Sequence, residues 1–225
     1  MAQLTSFQHE HPERYDPRDS RSAQVGRRIG DAWRAASIAR RGQAIAGITI
    51  GGAVTAAVAA AGAAPLASVI ALGVVGTLAG AAALVDVHEH RIPNALLLVS
   101  LAVVLLAVLA AAGTDGTRTT MGVLGDVLIG MSIAALPLFT VRYGKGLAIG
   151  DVKFAAVLGA AGGLLHPFLG LVVVWFAALS SGVYALVRHR HRLALGPWLW
   201  AGYVSACAVG VLVVTWGGQS WPVQR

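Results

Sequence analysis

The chain has 225 residues, of which 56% are hydrophobic and only 12% charged, whereas a soluble domain carries about 25% charged residues. This excludes a globule that covers itself with polar surface in water. The formal net charge of +7 does not mark a nucleic-acid binder, because the cations lie in a tail and in short loops between apolar runs, as in a membrane protein that sets its orientation by charge.

Residues 1–42 are polar and carry Arg14, Arg18, Arg21, Arg27, Arg28, Arg34, Arg40 and Arg41 among prolines and acids. No apolar face emerges before Arg27, the composition of a disordered segment. From Arg27 to Arg41 the segment reads either as a basic surface helix against anionic lipid, with Ile29, Trp33, Ala36 and Ile38 as its weak apolar side, or as a solvated tail that sets topology. The apolar run that follows is too long, and too far from Met1, for a signal peptide. It reads as a retained span.

Seven apolar segments follow, at 43–63, 66–86, 92–112, 121–141, 152–165, 168–187 and 196–216. Most have the length of about 20 residues that crosses a hydrocarbon core about 30 Å thick. The expected fold is an all-α membrane protein, a polytopic bundle of about seven transmembrane helices over residues 43–216, with a short C-terminal tail at 217–225. The fifth segment is short and rich in glycine (Gly159, Gly162, Gly163), which predicts tilt or close packing against its neighbours.

Placing the tail in the cytoplasm also puts Arg91, Arg142, Lys145, Lys153, Arg188, Arg190 and Arg192 there, leaving Arg118 and Arg225 on the other side. Fifteen of the seventeen cations then lie on one face, as the positive-inside rule requires. An even number of spans would strand a basic loop on the wrong side.

Carboxylates at membrane depth cost roughly 2.5–3.5 kcal/mol on insertion scales, so each needs a reason. Asp86 closes the second segment and Asp151 opens the fifth, both at the cytoplasmic ends of their helices. Asp126 lies in the first turns of the fourth segment, near the opposite face, and is not expected to join them. Two carboxyls held together cannot both ionise cheaply, so they share a proton. One can then take a proton from water while the other donates to a carbonyl or a leaving amine. The same pair could instead carry protons through a transporter. Asp151 near a helix N-terminus should be the more readily ionised member and Asp86 near a C-terminus the more readily protonated one. Pro93 suits the first turn of the third segment, and Gly150 gives the backbone freedom before Asp151.

These motifs resemble those of the prepilin leader peptidases, within the GxGD class of intramembrane aspartic proteases. In that family the first aspartate ends a span and is followed seven and eight residues later by Pro and by Asp or Asn. Asp86, Pro93 and Asn94 match that spacing. The second aspartate lies in GxGD-V-K, matched by Ala148-Ile149-Gly150-Asp151-Val152-Lys153 with Ala148 in place of the first glycine, a departure that matters if the position needs φ > 0. Arg192-Leu193-Ala194-Leu195-Gly196-Pro197-Trp198 is similar to the beginning of the family's last span. The resemblance covers roughly residues 66–216. The first acid of the signal-peptide-peptidase and presenilin branch normally follows a tyrosine, whereas Val85 precedes Asp86.

The resemblance implies an endopeptidase of the bacterial inner membrane, with N-terminus and active site cytoplasmic, that removes the leader of prepilin-like single-span substrates. Asp86 and Asp151 would be catalytic, supported by Pro93, Asn94, Gly150 and Lys153. The single Cys207 gives no paired CxxC motifs, so the likeness is to the peptidase-only form found with tight-adherence (Flp-type) pili. No cofactor and no metal are implied. His88, His90, His189 and His191 read as solvated loop residues rather than ligands, and Arg188–Arg192 as a topology anchor touching lipid headgroups. Glu89 reads as exposed beside Arg91, and Cys207 as a small buried or lipid-facing residue. Trp175, Trp198, Trp200, Trp216 and Trp221 read as interfacial, and Lys153 either snorkels or orients Asp151. Two other readings remain: a proton-coupled transporter, which calls for repeated or interrupted helices, and a catalytically silent pilus-assembly scaffold.

Overall fold

A computed structural model describes Gly51, Ala53, Ala57 and residues 65–115, 117–144, 147–188 and 194–217. The basic tail, most of the 43–63 segment, Lys145, the run 189–193 and the C-terminal tail lie outside the described residues. Among those described, six helices follow one another: α1 (Leu66–Glu89), α2 (Asn94–Asp115), α3 (Thr117–Tyr143), α4 (Ile149–Gly163), α5 (Leu169–Arg188) and α6 (Gly196–Gly217). They form a helical membrane protein. Four helices are long and apolar enough to cross a membrane, over Leu66–Val87, Asn94–Ala111, Thr120–Tyr143 and Leu169–Arg188.

The expected fifth and seventh segments appear as α4, of 15 residues, and as the apolar stretch Gly196–Leu212 of α6. Gly51, within the expected first segment, is helical and buried against Thr77 of α1.

Side-chain exposure follows the solvent. Leu98, Leu105, Leu106 and Leu109 of α2, and Trp175, Leu179, Val183 and Leu186 of α5, point outward. In a bundle bathed by hydrocarbon this costs nothing, because lipid tails are as apolar as leucine. Close packing must therefore hold the helices together, and small residues supply it. A Cβ on Gly163 would come within 2.6 Å of the Asp126 carbonyl oxygen and of Val127 Cα. Gly130 and Gly159 sit equally close, each against the other's carbonyl oxygen. The backbones of α3 and α4 thus touch along this seam, the most extensive helix pairing among the described residues.

The expectation of close packing for the short segment holds, with a stronger outcome. Helix α4 contacts each of the five other helices, and eleven of its fifteen residues are buried. It is the axis of the bundle, shielded from lipid by its neighbours.

Candidate active site

Three elements converge at one end of α4. Helix α1 ends at His90, which adopts the left-handed conformation (φ 50°, ψ 38°) while its N–H bonds the Asp86 carbonyl at 2.9 Å. Histidine tolerates this region better than most residues, and the turn carries the chain to α2. Pro93 stands just ahead of α2 and its carbonyl accepts from Leu96 and Leu97. Its missing N–H falls where no helical partner exists. Residues 194–196 then bring in the start of α6.

Asp86 and Asp151 are the two buried carboxylates of the described core, 5% and 8% exposed. Both line one cavity of about 850 Å³, with His90, Arg91, Ile92, Asn94, Leu147, Ala148, Ile149, Gly150, Lys153, Ala194 and Leu195. They are near enough to act on each other electrostatically. The cavity thus gathers Asp86, Asn94, Gly150, Asp151 and Lys153 of the sequence-predicted set, while Pro93 serves the adjoining turn.

The partners of the two acids differ. Asp151 is the third residue of α4 and reaches back to the backbone N–H of Ala148, which caps the helix, as acids at that position do. Asp86 accepts the Gly196 N–H at Oδ2, 2.9 Å away. That bond gives Asp86 a main-chain donor from a helix 110 residues away, a partner that nothing local in the sequence names.

Two glycine expectations change. Ala148 has φ −77° and ψ 150°, an extended conformation that alanine adopts freely, so the missing first glycine of the motif carries no strain. Gly150 lies inside α4, and a Cβ there would meet Ile92 at an ordinary 3.7 Å. The backbone freedom expected of it is not used.

Asp126 stays apart, as anticipated. Its carbonyl borders Gly163, at the far end of α4 from Asp151, and its carboxylate interacts with His166 in the α4–α5 turn. His90 is exposed as expected, yet it also lines the cavity and interacts with Asp86. No cluster of three or more metal-ligating side chains occurs among the described residues.

The last helix holds what sequence reasoning underread. Trp200 is half-buried and donates from Nε1 to the Gly76 carbonyl at 3.0 Å. Trp198 packs on Tyr184 of α5 with ring centroids 5.2 Å apart. Neither is simply an interfacial anchor, whereas Trp175 is 60% exposed. The Gly-Pro pair at 196–197 was the available signal for the Asp86 contact, but nothing local names its partner.

Residues 72–186, just over half of the chain, match the type IV leader peptidase family. The chain belongs to that family. The matched region of this type IV leader peptidase family member contains both aspartates and stops ten residues short of Gly196. No significant match links the chain to a curated protein or to a solved structure.

Proposed function

We propose that the protein is a membrane-embedded aspartic endopeptidase that removes the cytoplasmic leader of prepilin-like, single-span precursors. The observation that carries this reading is the meeting of Asp86 and Asp151, both buried and the two acids among the described residues that line one cavity. Family membership supplies the substrate class.

In the chemistry such a pair supports, the ionised carboxylate takes a proton from water while the protonated one donates to the scissile carbonyl oxygen. Water oxygen bonds to the carbonyl carbon and gives a neutral tetrahedral diol. The carboxyl that gained the water proton then passes a proton to the departing nitrogen, the C–N bond breaks, and the diol's O–H proton returns to the other carboxylate. Acid and amine leave, and the dyad recovers its single shared proton. Asn94 and Lys153 on the same wall are placed to hold the peptide and to tune the field around the pair.

The reading includes about seven spans, the first at 43–63, a cytoplasmic N-terminus and active site, residence in the bacterial inner membrane, and the peptidase-only form associated with Flp-type pili. The fifteen-to-two division of cations supports the orientation. The silent-scaffold alternative rested on Ala148, and the φ of −77° there removes its motive.

Co-expression with a tagged prepilin-like precursor tests the proposal by the mobility shift of leader removal. Wild type should cleave, and Asp86→Asn and Asp151→Asn should not, with all three inserted in the membrane. Cleavage that survives either substitution would sink the dyad. Failure of well-inserted wild type on several precursors, together with proton flux in vesicles, would favour the transporter.

A further inference from the structure

One contact at the dyad comes from beyond the family match, which ends at residue 186. Gly196 opens α6 and gives its backbone N–H to Asp86 Oδ2. The first N–H groups of a helix have no partner within it, so this donor is free to serve a side chain. The bond joins residues 110 positions apart and is therefore made by packing alone.

Two features make the contact specific. A Cβ at position 196 would lie 2.8 Å from Asp86 Oδ2 and 3.0 Å from Asp86 Cβ, so any larger residue would push the carboxylate from this position. Further along α6, Trp200 Nε1 donates to Gly76 O at 3.0 Å and Tyr203 Oη donates to Leu72 O at 3.0 Å. Positions 196, 200 and 203 share one helix face, and all three donate to α1. Tyr203 is 1% exposed, in a setting where an unmatched hydroxyl would be costly. The two side-chain bonds thus fix the register in which Gly196 meets the acid.

We infer that Gly196 is a positioning residue of the aspartic pair. Its N–H holds the Asp86 carboxylate at its place on the cavity wall and favours the charged form, while Trp200 and Tyr203 clamp α6 so that this donor arrives in register. The inference rests on the reading of Asp86 and Asp151 as the catalytic pair.

The test uses the full-length protein in proteoliposomes and a tagged precursor that wild type cleaves, with kcat/KM followed against pH. Gly196→Ala should lower kcat/KM about ten- to a hundredfold and move the acid limb of the profile upward by roughly one pH unit. Trp200→Phe keeps the ring and Gly196 but removes the clamp, and should move the limb the same way by less. This second variant carries the test if Gly196→Ala does not fold. Asp86→Asn runs alongside. A Gly196→Ala enzyme with wild-type rate and profile, beside an inactive Asp86→Asn, overturns the positioning role and leaves the dyad standing. A slower Gly196→Ala enzyme with an unmoved acid limb reduces Gly196 to packing and also overturns it, as does an unmoved limb in Trp200→Phe when that variant alone folds. Full cleavage by Asp86→Asn removes the dyad and this inference with it.

Discussion

The two ends of α4 pose the same problem and resolve it differently. At each end an acid lies in or beside the bundle: Asp151 with Asp86 at the start, Asp126 at the finish. At the start the second acid is another carboxylate, a cavity of about 850 Å³ opens over both, and a glycine admits a backbone donor to one of them. At the finish the partner is a histidine, and the backbones of α3 and α4 close on each other at Gly163. An intramembrane acid is therefore a pointer to chemistry when its surroundings leave room for a substrate and set a second acid beside it.

That contrast can be broken in four ways. Asp86→Asn or Asp151→Asn should lower cleavage by roughly 10²–10⁴-fold while leaving thermal unfolding in detergent nearly unchanged. A large loss of stability instead would make these acids structural. Gly159→Leu should act on the packed seam, costing about 1–3 kcal/mol or more, read as a fall in unfolding temperature with activity lost in proportion to folded protein. Asp126→Asn should change cleavage less than about threefold and stability by no more than about 1 kcal/mol. A folded but inactive Asp126→Asn enzyme would erase the distinction between the two ends. The smallest effect belongs to Ala148→Gly, which restores the family's first glycine. It should leave kcat/KM within about twofold of wild type, because the capping conformation there suits alanine and glycine alike, with a few tenths of a kcal/mol between such residues at a cap.

Hydropathy located the helices that reach lipid, since a span is recognised from its own composition. The pairing of Asp86 with Asp151 was also legible, because cation counting put both on one face and the family spacing tied each to its loop. Lateral order was not legible. Nothing in 152–165 says that this segment is the axis of the bundle, although its glycines said that something would approach closely. The bonds of Trp200 to Gly76 and Tyr203 to Leu72 span 124 and 131 residues, and their acceptors are backbone carbonyls that leave no mark on sequence. Gly150 errs in the other direction. A glycine before a motif aspartate invites a conformational explanation, yet its backbone is ordinary helix.

The brevity of α4 has a consequence for how the protein is made. Fifteen residues of helix extend roughly 22 Å, short of a hydrocarbon core about 30 Å thick. A segment that short, with Asp151 and Lys153 in its first turns, is a poor candidate to enter the bilayer alone. It is secure only once the surrounding helices pack against it, as all five others do among the described residues. Insertion therefore delivers the outer helices, and association delivers α4 and with it the second aspartate. The acid pair therefore depends on closure of the bundle, because one of its members rides on the helix that the others must hold.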